Sequence, residues 1–144
     1  SQSITGARVL DLYAGTGILG FEALSRGADS VHFVESSGSR CAEIRTSLLE
    51  FKLEDRAVVT RGRVEQVAKS LEGKYDIVMA DPPYDSDPWQ LVMKQLDDRG
   101  VMSKSGIIVA EHSRHLNLSD QFGNLVRWEE RRYGDTVLTL YRAE

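Results

Sequence analysis

Residues 8–20 read Arg8-Val9-Leu10-Asp11-Leu12-Tyr13-Ala14-Gly15-Thr16-Gly17-Ile18-Leu19-Gly20, an apolar strand that runs straight into a glycine-rich turn and then into an amphipathic helix through Leu24. Glycines at 15 and 17 let the backbone take positive φ and approach a ligand closely, and a helix that starts near Gly17 offers free amides there. This is the pattern of a nucleotide-cofactor loop. Taken literally, Gly15, Gly17 and Gly20 spell G-x-G-x-x-G. Glu35 closes a second strand, Ser30-Val31-His32-Phe33-Val34-Glu35, about 20 residues further on, the spacing of a ribose-binding acid. The competing reading of Glu35 is a solvated acid at a strand end.

Two details turn the loop away from a dinucleotide and toward S-adenosylmethionine. The first glycine of a dinucleotide loop follows its strand almost at once, to make room for a pyrophosphate, whereas here Asp11, Leu12, Tyr13 and Ala14 intervene. An acid at Asp11 also suits a cofactor that carries an amino group and a sulfonium, and it would repel a diphosphate. Asp11 serves equally well as a cap that holds the loop amides.

A second stretch carries acceptor chemistry. Asp81-Pro82-Pro83-Tyr84 follows the apolar run Ile77-Val78-Met79-Ala80, so it lies where a buried strand gives way to a loop over the sheet edge. Each proline gives up an amide donor and fixes φ, and the residue before it is pushed out of the α region. The result is a stiff, extended shelf. Asp81 and the Pro82 carbonyl are two acceptors that match the two hydrogens of an exocyclic amine on a nucleobase, and the ring of Tyr84 can stack on the base face. A plain surface turn is the alternative for this tetrapeptide taken alone.

The order of elements along the chain is an alternation, with strands expected near 8–13, 30–35, 57–61, 75–80, 106–111, 125–132 and 136–142. Helical patterns fall at about 17–26, 38–52, 64–71 and 89–99. This predicts a doubly wound α/β fold with a mostly parallel, seven-stranded sheet. The last two strands are joined by Tyr133-Gly134-Asp135, short enough for a hairpin, so one edge should run antiparallel. Ser86-Asp87-Pro88-Trp89 reads as a loop and first helical turn beyond the shelf, placed to move over a bound base.

At this point the chain resembles a family. Asp11-Leu12-Tyr13-Ala14-Gly15-Thr16-Gly17, Asp81-Pro82-Pro83-Tyr84 and Arg132-Tyr133-Gly134-Asp135-Thr136 together look like the bacterial guanine-N2 methyltransferases of 16S ribosomal RNA, over nearly the whole chain. The resemblance implies a Rossmann-like class I methyltransferase fold, S-adenosylmethionine as donor, and a guanine N2 amine in the small subunit as acceptor. It implies a cofactor site lined by Asp11, Tyr13, Gly15, Thr16, Gly17, Glu35 and Asp81. Asp81, Pro82, Pro83 and Tyr84 would hold the target base. Members of that family carry a few dozen residues ahead of the first strand, so residues 1–144 are expected to be one methyltransferase domain without that extension.

Composition is consistent with one domain: 144 residues, 41% hydrophobic and 28% charged. No stretch has the length and apolarity of a membrane span, so no membrane role is expected. The single Cys41 has no partner for an internal disulfide, in keeping with a cytoplasmic protein. A net charge of −4 argues against a broad basic face for nucleic acid. Arginines do gather at Arg61 and Arg63, at Arg114, and at Arg127, Arg131 and Arg132, where they alternate with Trp128 and Tyr133. That balance suits an RNA presented in an assembling small ribosomal subunit, docked by shape or by a partner, although the same arginines also read as ordinary solvated charges.

Other residues are assigned lesser roles. Glu111 and His112 end the fifth strand near the site, yet methyl transfer requires neither, and each is expected to orient neighbours. His32 reads as strand packing or surface, and His115 as a loop residue. No Cys/His grouping has metal spacing, so no metal is expected. Cys41 lies on a helix away from the shelf, which argues against a cysteine nucleophile. Three other readings stay open: adenine-N6 methylation of DNA or RNA, a nicotinamide-binding oxidoreductase domain, and an inactive cofactor-binding scaffold.

Overall fold

The computed structural model describes residues 4–144. The elements run β1 (Arg8–Leu12), α1 (Ile18–Ser25), β2 (Ser30–Glu35), α2 (Gly38–Glu50), β3 (Ala57–Arg61), α3 (Val64–Val67), β4 (Tyr75–Ala80), α4 (Trp89–Arg99), β5 (Met102–Ser113), β6 (Gln121–Phe122), β7 (Leu125–Tyr133) and β8 (Thr136–Ala143). One eight-stranded sheet has the order β3-β2-β1-β4-β5-β8-β7-β6. Strands β1 to β5 are parallel, and β8, β7 and β6 close one edge antiparallel. This is the doubly wound α/β architecture expected from the alternation of elements.

Burial on both faces explains why the parallel strands are near-continuous apolar runs. Leu10, Leu12, Val34, Val78 and Ile108 join Trp89, Met93 and Leu96 of α4 and Val64 of α3 in one cluster. Val9, Val31, Phe33 and Ile77 join Ala23 and Leu24 of α1 and Ile44 and Leu48 of α2 in the other. The reversal of strand order falls between β1, which leads toward β2, and β4, which leads toward β5. Ligands in open α/β sheets bind at such a point, beyond the carboxyl ends of the strands.

The sheet has eight strands where seven were expected. The extra one, Gln121–Phe122, is two residues long and exists through its pairing with β7, and no two-residue segment carries a period-two signal. β5 also begins earlier than expected, at Met102. Ser105 sits at φ 70°, and the β4–β5 register shifts between Tyr75 and Ile77, which breaks the alternation there. The third helical pattern is shorter than read. It splits into α3 and a 3-10 turn at Ala68–Ser70.

Candidate functional site

The turn after β1 is built by backbone conformations that few residues tolerate. Tyr13, Gly15 and Gly17 all take positive φ, at 59°, 63° and 85°. For Tyr13 this is a left-handed conformation away from glycine, and its hydroxyl is tied to Glu65 Oε1 at 2.7 Å. Burial, together with that bond, pushes the Tyr13 phenol above its ordinary value, so the group stays protonated. The third glycine has a different task. A Cβ on Gly20 would lie 2.2 Å from Phe33 Cε1, so Gly20 lets α1 press onto β2 and does not face a ligand.

Two buried acids organise this loop. Asp11 is 2% exposed and its Oδ2 accepts the amide of Gly20, inside the first turn of α1, at 3.1 Å, so it braces the helix and holds no amide of the loop itself; it also lines the cavity beside the loop. Burial pushes its carboxyl up to about 7, against the pull of the Gly20 amide and helped by the charges of Asp81 and Glu35. Glu35 is buried too, and is no solvated strand-end acid. Its Oε1 accepts the Gly15 amide and its Oε2 the Ser37 amide, each at 2.7 Å. One carboxylate therefore ties the glycine turn to the entry of α2. Each oxygen keeps a further lone pair for a hydroxyl.

The loop and the shelf face one another. A cavity of about 550 Å³ is lined by Asp11, Tyr13, Gly15, Thr16 and Glu35 on one side and by Asp81, Pro82, Pro83 and Tyr84 on the other. It adjoins a chamber of about 460 Å³ that shares Tyr13, Glu35, Ser36 and Pro83 and continues past Arg63 and Val64. A third, of about 80 Å³, lies across the shelf against Trp89, Glu111 and His112. Six of the seven residues expected at the cofactor thus line one space; Gly17 does not, being buried in the turn against Phe21 and Ile44. S-adenosylmethionine fits this set better than a nicotinamide dinucleotide does, because Asp11 and Asp81 bring negative charge beside the loop that matches a cation and would oppose a diphosphate. Among the described residues no grouping of His, Cys, Asp and Glu is placed to hold a metal ion.

The shelf itself leaves the sheet as expected. Asp81, Pro83 and Tyr84 are exposed, while Pro82 is buried. The Pro83 carbonyl accepts both the amide and the hydroxyl of Ser86 at 3.0 Å, which stiffens the turn toward α4. Tyr84 is 73% exposed, with its hydroxyl 3.2 Å from Ser113 Oγ, so its ring face is open. What sequence reasoning passed over is the partner of Asp81. Ala80 pairs with Ala110 across β4 and β5, so the next residues, Asp81 and Glu111, stand side by side and line the same small cavity. Although Asp81 keeps contact with solvent, the protein packed around it displaces enough water to raise its carboxyl, and the same loss of water raises Glu111, which the charge of Asp81 raises further. The available signal was an acid at the same level on two neighbouring strand ends.

The remaining candidates take structural places. His112 bridges the Ser113 carbonyl and Thr139 Oγ1 and meets Trp89 edge-on, and His32 bridges Tyr75 and Thr60. The Cys41 thiol is buried and donates to the Glu35 carbonyl. The arginines are largely committed: Arg63 to Glu65, Arg114 to Asp135, Arg127 to Asp120 and Arg131 to Glu129. The β7–β8 turn nevertheless brings Arg132 and the 60% exposed Tyr133 to the shelf's end of the sheet, because Thr136 pairs with Ser113. Among the described residues no helix is long and apolar enough to cross a membrane.

Comparison with known proteins bears on the fold and the family. The chain is 33% identical over 140 residues to YlbH of Bacillus subtilis, named as a candidate rRNA methyltransferase, covering 95% of this chain and 76% of that protein. It is 27% identical over 141 residues to ribosomal RNA small subunit methyltransferase D of Escherichia coli, covering 98% and 71%. A solved Escherichia coli structure described as a candidate methyltransferase, yhhF, superposes with a TM-score of 0.90 at 26% identity, covering 98% of this chain and 78% of that one. The fold is that of the class I methyltransferases, and with residues 1–142 matching its profile the chain belongs to the family described as Conserved hypothetical protein 95.

Proposed function

We propose that the protein transfers a methyl group from S-adenosylmethionine to the exocyclic N2 amine of a guanine in small-subunit ribosomal RNA. The observation that carries the reading is the shared cavity, in which the acid-braced glycine turn and the Asp81-Pro82-Pro83-Tyr84 shelf form opposite walls. A donor site and an amine-acceptor site then open on one space. The names of the relatives, which specify rRNA and the small subunit, support the choice of substrate.

S-adenosylmethionine, when bound, supplies an electrophilic methyl group on a sulfonium. In this reading Gly15, Thr16 and Gly17 hold the cofactor with their backbone, Tyr13 forms part of the wall, and Glu35 takes ribose hydroxyls on its spare lone pairs. Asp11 contributes negative charge opposite the cation. Asp81 and the Pro82 carbonyl accept the two hydrogens of the amine and turn its lone pair toward the methyl, while Tyr84 stacks on a base that has left its RNA context. Proximity and alignment supply most of the acceleration, so no strong base is required. As carbon bonds to nitrogen the amine becomes acidic, and its proton passes to Asp81 or to water.

The substrate is best read as an assembling small subunit in the cytoplasm. The chain carries a net charge of −4 and most of its clustered arginines are already paired, so RNA must be presented to it in a fixed shape. The test is transfer of labelled methyl from S-adenosylmethionine to small-subunit particles lacking the modification, followed by nucleoside analysis. Label in N2-methylguanosine is expected. Label in another nucleoside, or none with cofactor bound, would overturn the assignment.

A further inference from the structure

We propose that Glu111 selects the acceptor base, by taking the N1–H of guanine while the neighbouring Asp81 takes an N2–H. The inference rests on the guanine reading above and adds to it the group that tells guanine from adenine.

Asp81, the residue after β4, and Glu111 of β5 each follow the paired residues Ala80 and Ala110, so they lie side by side at one level, and both line the same small cavity. They form a row of two acceptors along one wall of the 80 Å³ cavity beside the shelf. On guanine, N2–H and N1–H are neighbouring donors on one edge. On adenine the neighbour of the N6 amine is N1, an acceptor, which would meet the lone pairs of a carboxylate. Two adjacent carboxylates therefore complement guanine and reject adenine, by the logic that makes paired contacts to a base edge discriminating.

A second observation points to a ligand in the same place. Trp89 lines this cavity, is 2% exposed, and its Nε1–H has no hydrogen-bond partner. A buried donor left unpaired is costly, and a base edge carrying an acceptor beyond its two donors, as O6 lies beyond N1–H and N2–H in guanine, supplies what it lacks. The cavity is small, so it admits an edge while the ring lies over Tyr84.

The experiment compares wild type, Glu111→Ala and Glu111→Gln on small-subunit particles lacking the modification, with S-adenosylmethionine as donor. Melting temperature and cofactor affinity are measured on the same samples, and nucleosides are resolved after digestion. Glu111→Ala is expected to lower kcat/KM for guanine about 10- to 100-fold, with cofactor affinity unchanged, and to raise the ratio of N6-methyladenosine to N2-methylguanosine. Glu111→Gln, which keeps an acceptor oxygen, should fall between. If wild type methylates guanine and both variants keep its rate and product ratio, the selector role is wrong while the guanine reading stands. If wild type itself yields N6-methyladenosine, the guanine reading fails and this inference fails with it.

Discussion

Glu35 Oε1 and the amide of Gly15 lie 2.7 Å apart, and the other oxygen of the same carboxylate holds Ser37 at the same distance. The acid expected to touch the ribose is thus also the brace of the loop under it. Glu35→Ala is predicted to weaken S-adenosylmethionine by roughly the 1.5–3 kcal/mol of hydrogen bonds to a charged group, and to lower the melting temperature of the free protein. Glu35→Gln keeps one acceptor and should lose less of both. Calorimetry on the two variants checks this, and unchanged affinity in Glu35→Ala would remove the residue from the cofactor site.

Asp11 gives the site a pH dependence. Its carboxyl is pushed up to about 7, so between the ordinary carboxylate range and that value the folded chain holds a proton that the unfolded chain has lost. The associated stability is present at low pH and disappears as pH rises through about 7. At 1.36 kcal/mol per unit, burial of the charge costs the free protein at most about 4 kcal/mol. A cationic cofactor favours the ionised form, so affinity for S-adenosylmethionine should fall as pH drops below about 7. Asp11→Asn is expected to be more stable than wild type at pH 8, to lose most of that advantage by pH 5, and to bind the cofactor weakly with a flattened pH profile. Titrations at several pH values decide it; a wild-type affinity that ignores pH between 5.5 and 8 would show that Asp11 does not face the cation.

Asp81→Ala is predicted to leave cofactor affinity within a few-fold while lowering turnover by about 100-fold or more, since the lost contact orients the amine in the transition state. Asp81→Asn should be milder, because its amide oxygen still accepts. Single-turnover rates on both variants test the shelf: wild-type rates in both would make it a structural turn.

Tyr84 separates stacking from packing. With 73% of the residue exposed, Tyr84→Ala should shift stability by no more than about 0.5 kcal/mol, the range of ordinary surface changes. Use of the RNA substrate should nonetheless weaken by roughly 1–3 kcal/mol, the worth of a base stacked on an aromatic ring. Tyr84→Phe loses only the hydroxyl contact to Ser113 and should be nearly silent. A stability loss in Tyr84→Ala large enough to explain its whole rate loss would end the stacking assignment.

Much of this site is legible in the chain because its parts are local. A strand that ends in glycines, and another that ends in Asp-Pro-Pro, each announce a backbone that cannot continue its element, and topology does the rest. What stayed hidden depends on neighbours far away in sequence. Glu111 acquires meaning only when β5 is laid beside β4 with Ala110 opposite Ala80. Glu35 could be placed by its spacing, but not recognised as a brace, since its contacts to Gly15 and Ser37 are made by backbone amides that every sequence possesses. Gly20 fits the dinucleotide fingerprint letter for letter and serves packing against Phe33 instead. The strand at Gln121–Phe122 is a consequence of its partner and has no pattern of its own.

The reversal of strand order between β1 and β4 divides the labour of the chain as well as its topology. Every residue assigned to the donor except Asp81 comes from before residue 36, and every residue assigned to the acceptor from after residue 80. The two sets meet across one backbone seam, four residue pairs from Val9–Ile77 to Leu12–Ala80. Such a layout is modular. Under the proposed reading, substitutions around the ends of β4 and β5 would change the acceptor without redesigning how the methyl donor is held, and the seam is where a graft between two such proteins would be cut.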